Sequence, residues 1–112
     1  MEKLQGILIF SLFLFSCSKS DEAVSNTCAT TVTYTSGVGA IISKSCAIAG
    51  CHVTGGAGNG VLTTLAGVKT KVDNGSFKTR VLDKKDMPPA GSTQLSTAEL
   101  ELLQCWLTNG AK

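Results

Sequence analysis

The sequence predicts an all-α domain of about three main helices, and three observations carry that expectation. Apolar residues recur at helical spacing in separate segments, no segment alternates as a strand would, and the last segment opens on a capping box. There is no internal repeat. The domain is expected over residues 34–112, behind a signal segment at 1–16 and a flexible tether at 17–33.

The elements follow in chain order. Glu2 and Lys3 precede an apolar run from Ile7 to Phe15, broken only by Ser11. Such a run is too short to cross a bilayer as a helix and reads as a secretory signal. Leu14-Phe15-Ser16-Cys17 resembles a bacterial lipobox, in which the cysteine is acylated and becomes the mature N-terminus, although Phe15 is bulkier than that position usually carries. Acylation of Cys17 implies a membrane-anchored protein of the cell envelope, an outer-membrane lipoprotein facing the periplasm or the cell surface. An ordinary signal peptide cut elsewhere is the alternative. Ser18 to Thr31 is polar, as a tether would be, and Ser18-Lys19-Ser20-Asp21-Glu22 resembles the charged tags of surface-exported lipoproteins.

Val38, Ile41, Ile42 and Ser45/Cys46 place one helix from about Ser36 into the Cys46 turn. Gly37 and Gly39 lower its propensity, so packing must hold it. Gly55-Gly56-Ala57-Gly58-Asn59-Gly60 is a loop. A second helix is expected from Leu62 or Thr63 to Val72, with Leu65, Val68 and Val72 on one face and Asn74-Gly75 as its stop. Phe77 to Leu82 reads as a short helix or turn, and Met87-Pro88-Pro89 as an extended segment, because a residue before proline avoids the helical region. Ser96-Thr97-Ala98-Glu99 caps the last helix. There Leu100, Leu103 and Leu107 form one row, Leu102 and Trp106 an adjoining one, and Asn109-Gly110 the end.

Composition narrows the function. Phe10, Phe13 and Phe15 lie in the signal, which leaves Tyr34, Phe77 and Trp106 as the aromatics of the mature chain. A domain this small with so few large side chains needs a staple, a metal or a prosthetic group. The net charge of +2, without a basic run or stacking-aromatic motif, excludes nucleic acid as a partner. The glycine-rich loop lacks the Gly-Lys-Ser/Thr of a phosphate loop and follows no strand; close packing of backbone on a flat ring is the expected reason for its glycines. Lys69, Lys71, Lys78, Arg80, Lys84 and Lys85, offset by Asp73, Asp83 and Asp86, read as a solvated face able to steer a redox partner.

The chemistry sits in Cys46-Ala47-Ile48-Ala49-Gly50-Cys51-His52. Two thiols followed by a histidine form the attachment signature of haem, whose usual spacing puts two residues between the cysteines where this chain has four. His52 is the only histidine, and Met87, 35 residues later, is the only methionine beyond Met1. A histidine nitrogen and a methionine sulfur commonly hold haem iron in electron-transfer proteins, and Pro88 and Pro89 would stiffen the methionine loop. Two other readings stay open. Cys46 and Cys51 could pair as a disulfide, leaving His52 on the surface and Met87 as core filler. Or Cys46, Cys51, His52 and Met87 could bind copper or zinc. Cys28 and Cys105 have no ligand role; in an exported protein they are expected to pair, closing a loop of more than 70 residues and stabilising by about 2–4 kcal/mol.

The chain resembles the cytochrome c family, in particular small exported mono-haem domains of Bacteroidota and planctomycete-type lipoproteins, over roughly Tyr34 to Ala111. The likeness is carried by an aromatic-led helix into Cys46–His52, the segment from Gly67 to Gly75, Met87-Pro88-Pro89, and Cys105-Trp106-Leu107. It implies a small cytochrome c-like fold whose loops wrap one haem. It also implies a single covalent haem c on Cys46 and Cys51, with iron between His52 and Met87, in a monomer that exchanges electrons with redox partner proteins. With both axial positions filled, such a protein is a carrier and not an enzyme. Ala47, Ala49 and Gly50 are small enough for the two extra residues to bulge outward, and wider spacings occur among multihaem cytochromes. The competing function is a haem-free, disulfide-stapled lipoprotein domain acting as a binding or structural module.

Overall fold

The computed structural model describes Cys28 and residues 31–112. The expected signal segment, Cys17 and most of the tether lie outside the described residues, which are helical with no strand. Helices α1 (Gly39–Ser45), α2 (Leu65–Asp73) and α3 (Thr97–Thr108) are accompanied by π-helical turns at Tyr34–Val38 and Lys78–Asp83. None of these helices is long and apolar enough to cross a membrane.

The expected helix from Ser36 into Cys46 is divided. Thr33 opens the first turn with a reciprocal capping box to Ser36, and the backbone leaves helical geometry at Gly37 before α1 begins. Glycine costs a helix about 1 kcal/mol at each position, so the break falls where propensity is lowest. Gly39 then lets Tyr34 fold over the helix, since a Cβ there would stand 3.0 Å from the Tyr34 ring. Helix α2 starts at Leu65, later than the expected Leu62 or Thr63. The Thr64 hydroxyl caps it by accepting from the Gly67 N–H, while the Leu62 N–H is committed to the His52 carbonyl at 2.9 Å. The segment after Phe77 is the second π-helical turn. Helix α3 keeps both halves of the Ser96/Glu99 box and ends at Asn109.

The core gathers on Trp106. Val38, Ile42, Val68, Leu103 and Trp106 are fully buried, with Ile41, Leu62, Phe77, Val81 and Ala111 around them. Tyr34 packs on Trp106 at a ring separation of 6.4 Å, and Phe77 meets it edge-on at 6.0 Å. The three aromatics of the domain therefore form one cluster. A buried indole N–H needs an acceptor; Trp106 Nε1 donates to the Lys112 main-chain oxygen at 2.9 Å, which also accepts from the Tyr34 N–H at 2.7 Å. Cys28 and Cys105 form a disulfide that pins the incoming chain to α3 across 77 residues.

The cationic face is largely neutralised in place: Lys69 pairs with Asp73, Lys78 with Asp83 and Arg80 with Asp86. Lys44 reaches Glu99 from α1, and that contact, with the Ser96 N–H, holds the Glu99 carboxyl below the usual carboxylate range. Exposed pairs of this kind contribute no more than about 1 kcal/mol each.

Candidate functional site

The site begins where α1 ends. The N–H groups of Cys46 and Ala47 both donate to the Ile42 carbonyl at 2.8 Å, which closes the helix and turns the chain. Gly50 takes a left-handed conformation at φ +80°, Cys51 N–H donates to Ile48, and His52 N–H returns to the Cys46 carbonyl at 3.2 Å. The segment thus closes on itself with both thiols and the imidazole on one turn, while Ala49 and Gly50 are exposed. Cys46 and Cys51 are free thiols, so the structure does not contain the disulfide that was one reading of the pair. Burial, reinforced by the neighbouring Cys51, pushes the Cys46 thiol up to about 11.

The glycine-rich loop folds over this turn. Gly56 lies so close to the Cys51 carbonyl that a Cβ would approach to 2.0 Å, and a Cβ on Gly58 would come within 2.7 Å of His52 Nδ1. Gly56 makes room for the Cys51 backbone, and the flat ring that Gly58 accommodates is the imidazole. His52 Nδ1 stands 2.9 Å from the Gly60 carbonyl oxygen. That oxygen can only accept, so in the neutral ring Nδ1 carries the proton and Nε2 the lone pair that a ligand role requires.

Met87 comes from a separate loop and lines the same cavity as Cys46, Cys51 and His52. Its N–H and that of Asp86 both donate to the Arg80 carbonyl, at 3.2 and 3.0 Å, tying the Met87 loop to the second π-helical turn. Gln94 knots the loop further on, its Nε2 donating to the carbonyls of Pro88, Pro89 and Ser92 at 2.9–3.2 Å. The Met87–Pro88 peptide is cis, and Pro88 is buried.

Cys46, Cys51, His52 and Met87 all line one cavity of about 320 Å³, at the small end of small-molecule sites. Leu62, Phe77, Val81 and Pro88 supply apolar wall, so the cavity opens directly off the core. Its charged lining residues are Lys71 and Arg80, and no carboxylate lines it. Arg80 engages Asp86 through Nε at 2.6 Å, and its terminal amino groups have no partner among the described residues. Ser45, beside Cys46, lines the cavity too, and its buried hydroxyl has no partner among the described residues.

The donor set is one that a haem would use. Among the described residues no three His, Cys, Asp or Glu side chains converge closely enough to hold one metal ion. Two thiols and an imidazole on one turn, with a thioether lining the same largely apolar cavity, are donors that a flat macrocycle carrying its own metal would use. Of the residues singled out from sequence, Cys46, Cys51, His52 and Met87 come together, Cys28 and Cys105 pair elsewhere, and Cys17 lies outside the described residues. Gln94 and the wall formed by Phe77 and Val81 carried no legible signal; Lys71 and Arg80 read only as surface charge. No known family, curated protein or solved structure matches the chain.

Proposed function

We propose that this protein is a lipid-anchored c-type cytochrome carrying single electrons through one covalent haem on a small cytochrome c-like fold. The supporting observation is the convergence of Cys46, Cys51, His52 and Met87 on one largely apolar cavity. Cys46 and Cys51 would form the thioethers, His52 Nε2 and the Met87 sulfur would hold the iron, and Lys71 and Arg80 would receive the propionate carboxylates. When bound, the group supplies an iron that alternates between ferric and ferrous states.

The chain's own residues do the positioning. His52 keeps Nε2 free by placing its proton on the Gly60 side. Gln94 and the Arg80 carbonyl hold the Met87 loop, which limits the entropy lost in fixing a weak sulfur ligand. Leu62, Phe77 and Val81 exclude water. With His52 and Met87 both holding the iron, no site would be left on it for a substrate, so the protein would be a carrier and not an enzyme. Anchored through Cys17 in the outer membrane, facing the periplasm or the cell surface, it acts as a monomer on redox partner proteins. Exposed Lys84 and Lys85, beside the Met87 loop, can steer such partners.

Intact mass after expression in a host with haem-maturation machinery tests the reading. The expected product is red, keeps its haem through denaturation, and gains roughly 600 Da with neither Cys46 nor Cys51 open to alkylation. A colourless product with those thiols free or bonded to each other would leave a haem-free, disulfide-stapled lipoprotein module.

A further inference from the structure

The acceptor that fixes His52 is itself held in place. Gly60 sits at φ +94°, a conformation glycine adopts freely, and this carries its carbonyl to His52 Nδ1. Gly67 and Lys71, four residues apart, share one face of α2, and both meet the loop that contains Gly60. At Gly67 the helix backbone comes so close that an added Cβ would lie 2.1 Å from the Val61 carbonyl oxygen. One turn on, Lys71 Nζ donates to Asn59 Oδ1 at 3.0 Å. The Lys71 stem also covers Gly60, where an added Cβ would lie 2.8 Å from Lys71 Cε. Beyond the loop, Leu62 N–H returns to the His52 carbonyl at 2.9 Å. The carbonyl facing the imidazole is therefore anchored before it by the Asn59–Lys71 bond and after it by Leu62.

We propose that Lys71, clasped to Asn59, is a positioning residue for His52: through the loop, α2 sets the tautomer and orientation of the imidazole. The importance of that tautomer rests on the haem reading, because only a ring protonated at Nδ1 presents an unprotonated Nε2. The positioning itself is a property of the protein without its ligand, and is tested there. A free imidazole in water samples both neutral tautomers; a well-placed acceptor at Nδ1 biases the ring to one and shields that proton from solvent. Releasing Asn59 from Lys71 frees the loop and weakens both effects.

The experiment uses the full haem-free chain labelled with nitrogen-15 on histidine, at a pH above the ordinary histidine range, so that one ring system reports. Wild-type protein is expected to show the Nδ1–H tautomer with slow exchange of that proton. Lys71→Met keeps the stem and loses the ammonium; Asn59→Ala loses the acceptor. Each is expected to speed Nδ1 proton exchange about tenfold and to raise the Nε2–H population. The double variant should be no worse than either single one, since one bond is removed in all three. Lys84→Met, outside the clasp, should leave the ring unchanged, and urea unfolding of each variant supplies the global stability for comparison. Unchanged ring signals in both single variants would overturn the proposal. So would a wild-type ring protonated at Nε2, or exchange that rises only in step with lost global stability. Failure of the haem reading shows separately, as an absent mass gain.

Discussion

Gly58→Ala is the sharpest probe of the site, because its consequence can be worked from distances. An added Cβ would lie 2.7 Å from His52 Nδ1 and 2.9 Å from Cγ and Cε1, where ordinary contact begins near 3.4 Å. The ring or the loop must therefore yield by about 0.7 Å. Moving the ring by that amount stretches the 2.9 Å contact between Nδ1 and the Gly60 carbonyl beyond hydrogen-bonding range. Losing that bond costs about 0.5–1.5 kcal/mol, and overpacking adds about 1–3 kcal/mol. The expected loss is about 1.5–4.5 kcal/mol in urea unfolding of the haem-free protein, followed by fluorescence of Trp106, the only tryptophan and fully buried. Gly55→Ala is the comparison: that residue is left-handed at φ +78° with nothing within 4 Å of an added Cβ. It should cost about 1–2 kcal/mol through backbone conformation alone and leave the His52 ring signals untouched. A Gly58→Ala protein within about 0.5 kcal/mol of wild type, with an unshifted imidazole, would refute the packing argument.

Three further outcomes are expected. The Cys28→Ser/Cys105→Ser protein should lose up to about 4.5 kcal/mol at 25 °C, the loop-closure value for a 77-residue separation; a loss under about 1 kcal/mol in urea would place the stabilisation elsewhere. Ser45→Ala should raise the stability of the haem-free protein by about 1–3 kcal/mol in the same assay, by removing a buried hydroxyl that has no partner among the described residues. Glu99 has its folded pKa lowered, so its contribution is fully present above about pH 4.5 and is lost as pH falls through the lower folded value. Glu99→Gln, which keeps the capping box, should therefore flatten the acid limb of a stability–pH curve by no more than about 1 kcal/mol.

What the sequence made legible is what local rules govern. The Ser96/Glu99 box, the Asn109 cap and the apolar rows of α3 are read within one helix, and the structure keeps them. The start of α2 differs from the expected one because the fate of Leu62 is settled by a hydrogen bond to a residue ten positions earlier, which no periodicity records. The same holds at the site. Cys46, Cys51 and His52 announce themselves by adjacency, and Met87 by being the sole methionine available. Phe77 takes part only because separate segments meet at the cavity, and Gln94 because its loop folds back on Pro88 and Pro89; each is an ordinary residue in the sequence. Lys71 and Arg80 read as surface charge because a sequence does not say which solvated face borders a cavity.

The shortage of large side chains and the position of the cavity have one cause. Tyr34 and Phe77 are both committed to Trp106. Phe77, Leu62 and Val81, buried in the core, also line the cavity, which opens beside them. Filling it with a leucine or phenylalanine would complete an ordinary core; the chain instead lines it with two thiols, an imidazole, a thioether and two cations. The long-range disulfide adds stability without occupying the cavity. A flat apolar group with anionic edges would fill the space, packing on Leu62, Phe77 and Val81 while meeting Lys71 and Arg80. Ligand binding and completion of the core are then the same event, so loading the cavity should raise global stability and tighten the Met87 loop together.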